Sequence, residues 1–344
     1  MVPLSILDLV PIPEGSNPTI ALRNSLDLAR HAERLGYTRY WVAEHHNSPG
    51  IASAATSVVI GYLAGGTSTI RVGSGGIMLP NHSPVVIAEQ FGTLESLYPG
   101  RIDLGLGRAP GTDQLTIRAM RRSPMAAENF PNDVQELQIL LGDLQPNQHI
   151  QAVPGTGTEV PLWILGSSTY GGQLAGILGL PYAFASHFAP DLLLEALDFY
   201  RQRFQPSKQL DRPYAMVGLP VIAADTDEEA RYLFTSTQQS SVNMVRGRRG
   251  QLPPPIADIE TYWTPSEKLQ TMHKLQFAVV GSRETVREGL ERVIAHTQAD
   301  ELMLVSAIYD HEARKRSLEI VAEAAGGLTG AGLGKSLTAQ ATPA

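Results

Sequence analysis

Three side chains able to move a proton or bind a metal, Glu44, His45 and His46, follow directly on the apolar run Tyr40 to Ala43. Such a run reads as a short buried strand, so a carboxylate and two imidazoles stand at its C-terminal end. In a barrel of parallel strands that end is the rim where chemistry is done. An imidazole there, with an ordinary pKa near 6.5, exchanges protons close to neutral pH. The triplet alone also fits one core histidine beside one solvated loop histidine. A metal-dependent barrel hydrolase, joining His45, His46 and Glu44 or Asp8 around one ion, is disfavoured, because successive residues at a strand end point to opposite sides.

Three further stretches carry functional residue types. Gly73 to His82 contains Gly75, Gly76 and Met78; Gly105 to Gly111 contains Arg108; Leu165 to Gly172 contains Gly166, Ser167, Ser168, Tyr170 and Gly171. Glycines inside a strand mark either a tight bend or a place where something approaches the backbone closely, and Gly75-Gly76 fits both. Arg108 suits a phosphate or carboxylate ligand, or else an ion pair with Asp103 or Asp113. The hydroxyl-rich run from Gly166 opens a helix whose free N–H groups and dipole favour an anion. Arginine and helix start together describe a phosphate clamp, with ordinary capping as the alternative. A competing phosphate position at Gly281-Ser282 reads as a plain helix cap.

Positioning these stretches requires a regular scaffold. Strands are expected at Leu4 to Val10, Tyr40 to Ala43, Ile70 to Leu79, Ile102 to Gly107, Leu162 to Leu165, Tyr182 to Ala185, Val217 to Ala223 and Glu301 to Ser306. Helical sequence follows each. Asn17 with Pro18 caps the first helix, Ile51 to Gly65 reads as a small-residue second helix, and Thr169 to Leu178 as the fifth. Eight strand–helix alternations predict an α/β fold of the (β/α)8 TIM-barrel type, with an insertion between strands seven and eight. One domain over residues 1–326 is expected, with a flexible tail over 327–344.

Composition narrows the function. The 344 residues include no cysteine, which excludes disulfides, thiolate catalysis, iron–sulfur clusters and cysteine-ligated zinc. A formal charge of −7 argues against nucleic acid as the main partner. No run reaches the ~18 apolar residues of a membrane helix, and the N-terminus lacks a secretory pattern, so a cytoplasmic protein is expected.

Taken together, Glu44-His45-His46, the Gly75-to-Pro80 strand, Pro99-Gly100-Arg101-Ile102-Asp103-Leu104-Gly105-Leu106-Gly107-Arg108 and the turn at Ser167 resemble the bacterial-luciferase-like flavin monooxygenases, over about residues 3 to 325. The likeness is to alkanal-monooxygenase-like, single-component-type members. It implies reduced FMN at the C-terminal rim, supplied by a separate flavin reductase, and O2 activation as a flavin C4a-peroxide to oxidise a small organic, aldehyde-like substrate. It also implies a homodimer packed through Ala52, Ala54, Ala55 and Gly61. By resemblance His45, with His46 beside it, is catalytic. Gly75, Gly76, Met78, Arg108, Gly166, Ser167, Ser168, Tyr170 and Gly171 hold the cofactor, and Gly75-Gly76 matches a non-prolyl cis peptide. The chain departs from luciferase at Gly107, where that enzyme has a reactive cysteine, at Ser167, where it has a carboxylate, and in the insertion bearing Arg246, Arg248 and Arg249. A deazaflavin-dependent oxidoreductase and a non-catalytic flavin-binding protein are the alternatives.

Overall fold

The protein is described by a computed structural model over residues 2–123 and 125–328. Nine strands form among the described residues: β1 (Leu4–Asp8), β2 (Arg39–Val42), β3 (Arg71–Met78), β4 (Ile102–Gly107), β5 (Leu162–Gly166), β6 (Tyr182–Phe184), β7 (Ala215–Ala223), β8 (Val279–Gly281) and β9 (Glu301–Val305). Their order is β6-β5-β4-β3-β2-β1-β9-β7-β8, and β6 also pairs with β7. Eight parallel strands therefore close a ring, a (β/α)8 TIM barrel. The ninth, β8, pairs only with the far end of β7, from Val221 to Ala223.

Around the ring lie α1 (Pro18–Arg34), α2 (Thr56–Gly65), α3 (Pro84–Leu97), α4 (Gln114–Ala119), α5 (Phe130–Leu141), α6 (Thr169–Leu178), α7 (Leu193–Arg203), α8 (Asp227–Val245), α9 (Pro265–Lys274), α10 (Arg283–Thr297) and α11 (His311–Ala324). The Asn17 side chain accepts from the Ile20 N–H at 3.1 Å, so the expected first cap forms. The second helix is shorter than its composition suggests. Residues 51–55 are not helical, and Ile51 instead bridges to Pro11. Two elements had no clear pattern: α4, in the arginine-rich stretch, and the three-residue β8. The expected tail begins later than Gly326, since Leu328 is buried and its carbonyl accepts from the Val2 N–H at 3.0 Å. The remainder of the tail lies outside the described residues.

Side-chain alternation divides the core in two. Outward residues such as Ile6, Tyr40, Val72, Leu104 and Ile164 meet the helices, while Leu7, Trp41, Trp163, Met216 and Met303 fill the ring. Its floor is charged. Arg39 reaches Asp103 at 2.8 Å and Glu301 at 3.0 Å, and Arg71 reaches Asp103 at 2.6 Å. Burial alone would raise the Asp103 pKa, but the two guanidinium groups pull it down to about 2. Trp41 and Trp163 pack edge to face above this floor at 5.1 Å.

Towards the C-terminal mouth the inward residues become small. A Cβ on Gly105 would stand 2.1 Å from the Ser74 carbonyl oxygen, and one on Gly76 would stand 2.8 Å from that of Gly105. Close approach of β3 to β4 thus explains these glycines directly. The register between the two strands slips between Gly75 and Ile77, and the Gly75–Gly76 peptide is cis.

Candidate active site

Glu44, just past β2, is buried and organises one side of the mouth. One carboxylate oxygen accepts from His46 Nε2 at 2.7 Å and Asn81 Nδ2 at 2.9 Å. The other accepts from the Met78 N–H at 2.8 Å and His82 Nε2 at 2.9 Å. Burial works to raise the Glu44 pKa, but the bonds and charge of His82, then Asn81 and His46, outweigh it and leave the group ionised and low. His46 is therefore tied to a carboxylate, whereas His45 makes no hydrogen bond to Glu44 among the described residues. Among the described residues the one cluster with metal-ligand spacing is Asp27, His311 and Glu312, outside this mouth. Asp8 is occupied elsewhere, by Ser25, Tyr40 and Arg314.

Among the described residues His45 Nδ1 is buried without a hydrogen-bond partner, and so is Nδ1 of His187, in the turn after β6. Burial, then the charge of Arg249, push the His45 imidazole below its usual value, against the pull of Glu44. Burial, then His45 and Lys274, push His187 down to about 3. Both rings are accordingly neutral at pH 7. A Cβ on Gly218 would lie 2.7 Å from His187 Nδ1, so glycine in β7 makes room for this ring. Sequence reading missed His187 because a lone histidine after a short strand carries no motif. Its only signal was its place, three residues beyond Phe184.

Arg108, at the end of β4, lies exposed with its guanidinium carbon 4.0 Å from the centroid of the Tyr170 ring. It serves neither Asp103, which is held by Arg39 and Arg71, nor Asp113, which binds Asn47 and caps α4 through the Thr116 N–H. No carboxylate pairs with Arg108 among the described residues. Tyr170 belongs to the first turn of α6, whose N-cap, Ser168, makes no side-chain capping bond. The Ser167 and Ser168 hydroxyls are likewise unpartnered among the described residues. The helix start thus keeps free donors beside an unpaired cation. Gly166 and Gly171 sit where a Cβ would press on Tyr182, at 3.2 Å in each case, so they let helix and strand end pack closely. Met78 fills the space beside Gly107, where a Cβ would meet its sulfur at 2.7 Å. The rival helix start at Ser282 is already filled, because its N–H donates to Asp227 at 2.6 Å.

These strand ends form one rim. The loop after β4 is tied to the loop after β2 by the His46 N–H to the Gly111 carbonyl at 3.3 Å, and to Asn81 through the Pro110 carbonyl at 2.9 Å. Over the rim lies the insertion that follows α8. Its Leu252 pairs with Ile12 and Glu14 at 2.9 Å each, and Gly250 presses against Gly50, where a Cβ would meet its carbonyl oxygen at 2.1 Å. On the other side of the mouth, His273 of α9 meets Asp191, just before α7, at 2.5 Å.

The closed ring defines a (β/α)8-barrel protein, and Glu44, His45, Arg108 and His187 follow the C-terminal ends of β2, β4 and β6. The chain belongs to the luciferase-like monooxygenase family, whose model matches residues 2–301. It is 57% identical over 317 residues to a luciferase-like monooxygenase of Escherichia coli K12, covering 92% of this chain and 95% of that protein. The solved structure of apo-MsnO8 superposes with a TM-score of 0.87 at 36% identity, covering 96% of this chain and all of that one. The oxygenating constituent of 3,6-diketocamphane monooxygenase, solved with FMN, shares the fold at a TM-score of 0.69 and 16% identity, over 96% and 99% of the two chains. Among the described residues no helix is long and apolar enough to cross a membrane.

Proposed function

We propose that the protein is an FMN-dependent monooxygenase that uses reduced FMN and O2 to oxidise a small organic substrate. The observation that carries this is an arginine with no acidic partner, Arg108, stacked on Tyr170 at the uncapped start of α6. One fixed charge, the helix dipole and several N–H and O–H donors there suit a phosphate monoester. In this reading Arg108, Ser167, Ser168 and the first turn of α6, with Gly166, Tyr170 and Gly171, hold the FMN phosphate, while Gly75, Gly76 and Met78 back the ring. FMN, when bound, supplies the electron transfer and the reaction with oxygen.

The chain's own residues do the rest. His45, neutral at pH 7, takes up and returns one proton at its unpartnered Nδ1. Glu44 fixes His46, Asn81, His82 and the Met78 N–H, so the β2 and β3 ends keep one arrangement around the mouth. His46 acts beside His45 through this anchored position. The insertion covers the mouth and limits water. A separate reductase supplies reduced FMN, and a second copy of the chain covers the apolar face of α2, where Val58 is 72% and Tyr62 43% exposed. The test is oxygen uptake on adding externally reduced FMN, together with the mass of any yellow cofactor that the purified protein releases. Uptake with FMN-mass cofactor is expected; the absence of both uptake and FMN retention contradicts the proposal.

A further inference from the structure

We propose that His187 orients the substrate by donating its Nε2–H to an uncharged oxygen acceptor of carbonyl type. This deepens the reading of the mouth as a reaction site and rests on it. The place of the ring is set by β7. Met216 and Met303 belong to the filling of the barrel, and Gly218 lies two residues beyond Met216 and in register with Met303, so its Cβ direction is inward too. A Cβ there would stand 2.7 Å from His187 Nδ1 and 3.5 Å from Cε1, which puts the imidazole inside the ring of strands, against the Gly218 backbone. The turn that carries it is pinned to the same glycine, because the buried Ser186 hydroxyl donates to the Gly218 carbonyl at 2.6 Å.

The two nitrogens of this ring are unlike. Nδ1 is buried without a partner and faces the glycine methylene. A proton on it would be a buried donor with nothing to receive it, so the neutral ring keeps Nδ1 bare and carries its proton on Nε2. Nε2 lies on the far side of the half-buried ring from Gly218, is open, and meets no hydrogen-bond partner among the described residues. A neutral N–H serves an oxygen acceptor; it neither balances an anion nor accepts from an ammonium. Around it the mouth suits an apolar body, since Leu9, Leu165 and Val305, packed on the inner cluster, are only half-buried. In the closed ring of eight, β7 stands four strands from β3, so the donor and the Gly75–Gly76 segment are on opposite sides of the barrel with the ligand between them.

Nitrogen NMR of the full chain with isotope-labelled histidine, His187 being assigned by its loss in His187→Gln, reads the tautomer directly. Nε2 is expected to carry the proton and to shift when cyclohexanone is added. Calorimetric titration, with and without oxidised FMN, compares cyclohexanone with methylenecyclohexane, in which CH2 replaces the carbonyl oxygen, so the alkene controls for shape and apolar contact. His187→Phe should weaken the ketone about three- to tenfold relative to the alkene. His187→Asn, whose amide reaches only to the position of Nδ1, should do the same, while His187→Gln, whose amide reaches that of Nε2, should keep the native ratio within about twofold. FMN affinity should stay within about twofold in His187→Phe, which separates this donor from the phosphate clamp. Melting temperatures check that each variant is folded, and the native tautomer stands as a test without any variant. A proton on Nδ1 in the native chain, or an unchanged ketone-to-alkene ratio in His187→Phe, overturns the proposal. Failure of FMN to bind while that ratio still depends on His187 overturns the flavin reading and leaves the donor standing.

Discussion

The Arg108 guanidinium carbon lies over Tyr170, 4.0 Å from the ring centroid, although the two residues follow different strands, β4 and β5. This contact holds a cation without an acidic partner among the described residues at the start of α6, so in the proposed reading Tyr170 supports the phosphate through Arg108 and not through its hydroxyl. Tyr170→Phe should keep FMN affinity within about twofold, whereas Tyr170→Ala should weaken it about three- to fivefold, the scale of an exposed cation–π contact. Quenching of FMN fluorescence on titration measures both. A larger loss in Tyr170→Phe than in Tyr170→Ala would assign the role to the hydroxyl.

Glu44 accepts from four donors in a buried position. Glu44→Gln keeps the shape but loses the charge and puts an NH2 group against donors. It should cost about 2–3 kcal/mol of stability, read from denaturant unfolding. A change within measurement error would mean that the donors find other acceptors.

Asp103 neutralises Arg39 and Arg71 at the barrel floor. Asp103→Asn takes from Arg71 the carboxylate it meets and from Arg39 one of its two, leaving Arg39 on Glu301, and should lower stability by about 3 kcal/mol. Lys208, which pairs with Asp143 and Glu159 on the surface, provides the control. Lys208→Ala should barely move the unfolding midpoint. Equal effects at the two sites would remove the floor network from the account of stability.

His187 has a folded pKa of about 3 against an ordinary 6.5 in the unfolded chain. Between those values the unfolded state binds the extra proton, so its contribution to stability is intact above pH ~6.5 and is lost as pH falls towards 3. His45 and His31, both lowered, act in the same direction. The melting temperature should therefore begin to fall near pH 6, before carboxylates such as Asp103 titrate. His187→Phe should flatten that early limb. An unchanged slope in the variant would show that His187 titrates normally.

Much of this was readable in the chain because the barrel repeats its signals. Apolar runs followed by capped helices located the eight closing strands, and Asn17-Pro18 marked a helix start that forms as expected. The segment 51–55 failed because small apolar residues suit a helix and an extended bridge alike, and Ile51's contact with Pro11 comes from far along the chain. Strand β8 failed because three residues carry no usable period. At the site, Glu44, His45 and Arg108 stood out by type and place. The partner of Arg108 did not, since Tyr170 offers a ring face that no charge pattern reveals. His187 was hidden for a related reason, because it gains meaning only from the space that Gly218 leaves opposite it.

In the proposed reading Arg108 and His45 attend opposite ends of one bound flavin. FMN dissociation constants for the native chain, Arg108→Ala and His45→Ala, taken with oxidation rates on the same preparations, test it most directly. Arg108→Ala should weaken FMN binding by about ten- to a hundredfold. His45→Ala should leave binding within about twofold while slowing oxidation about a hundredfold. An unchanged constant for Arg108→Ala, or equal loss of binding and oxidation in His45→Ala, would contradict the account.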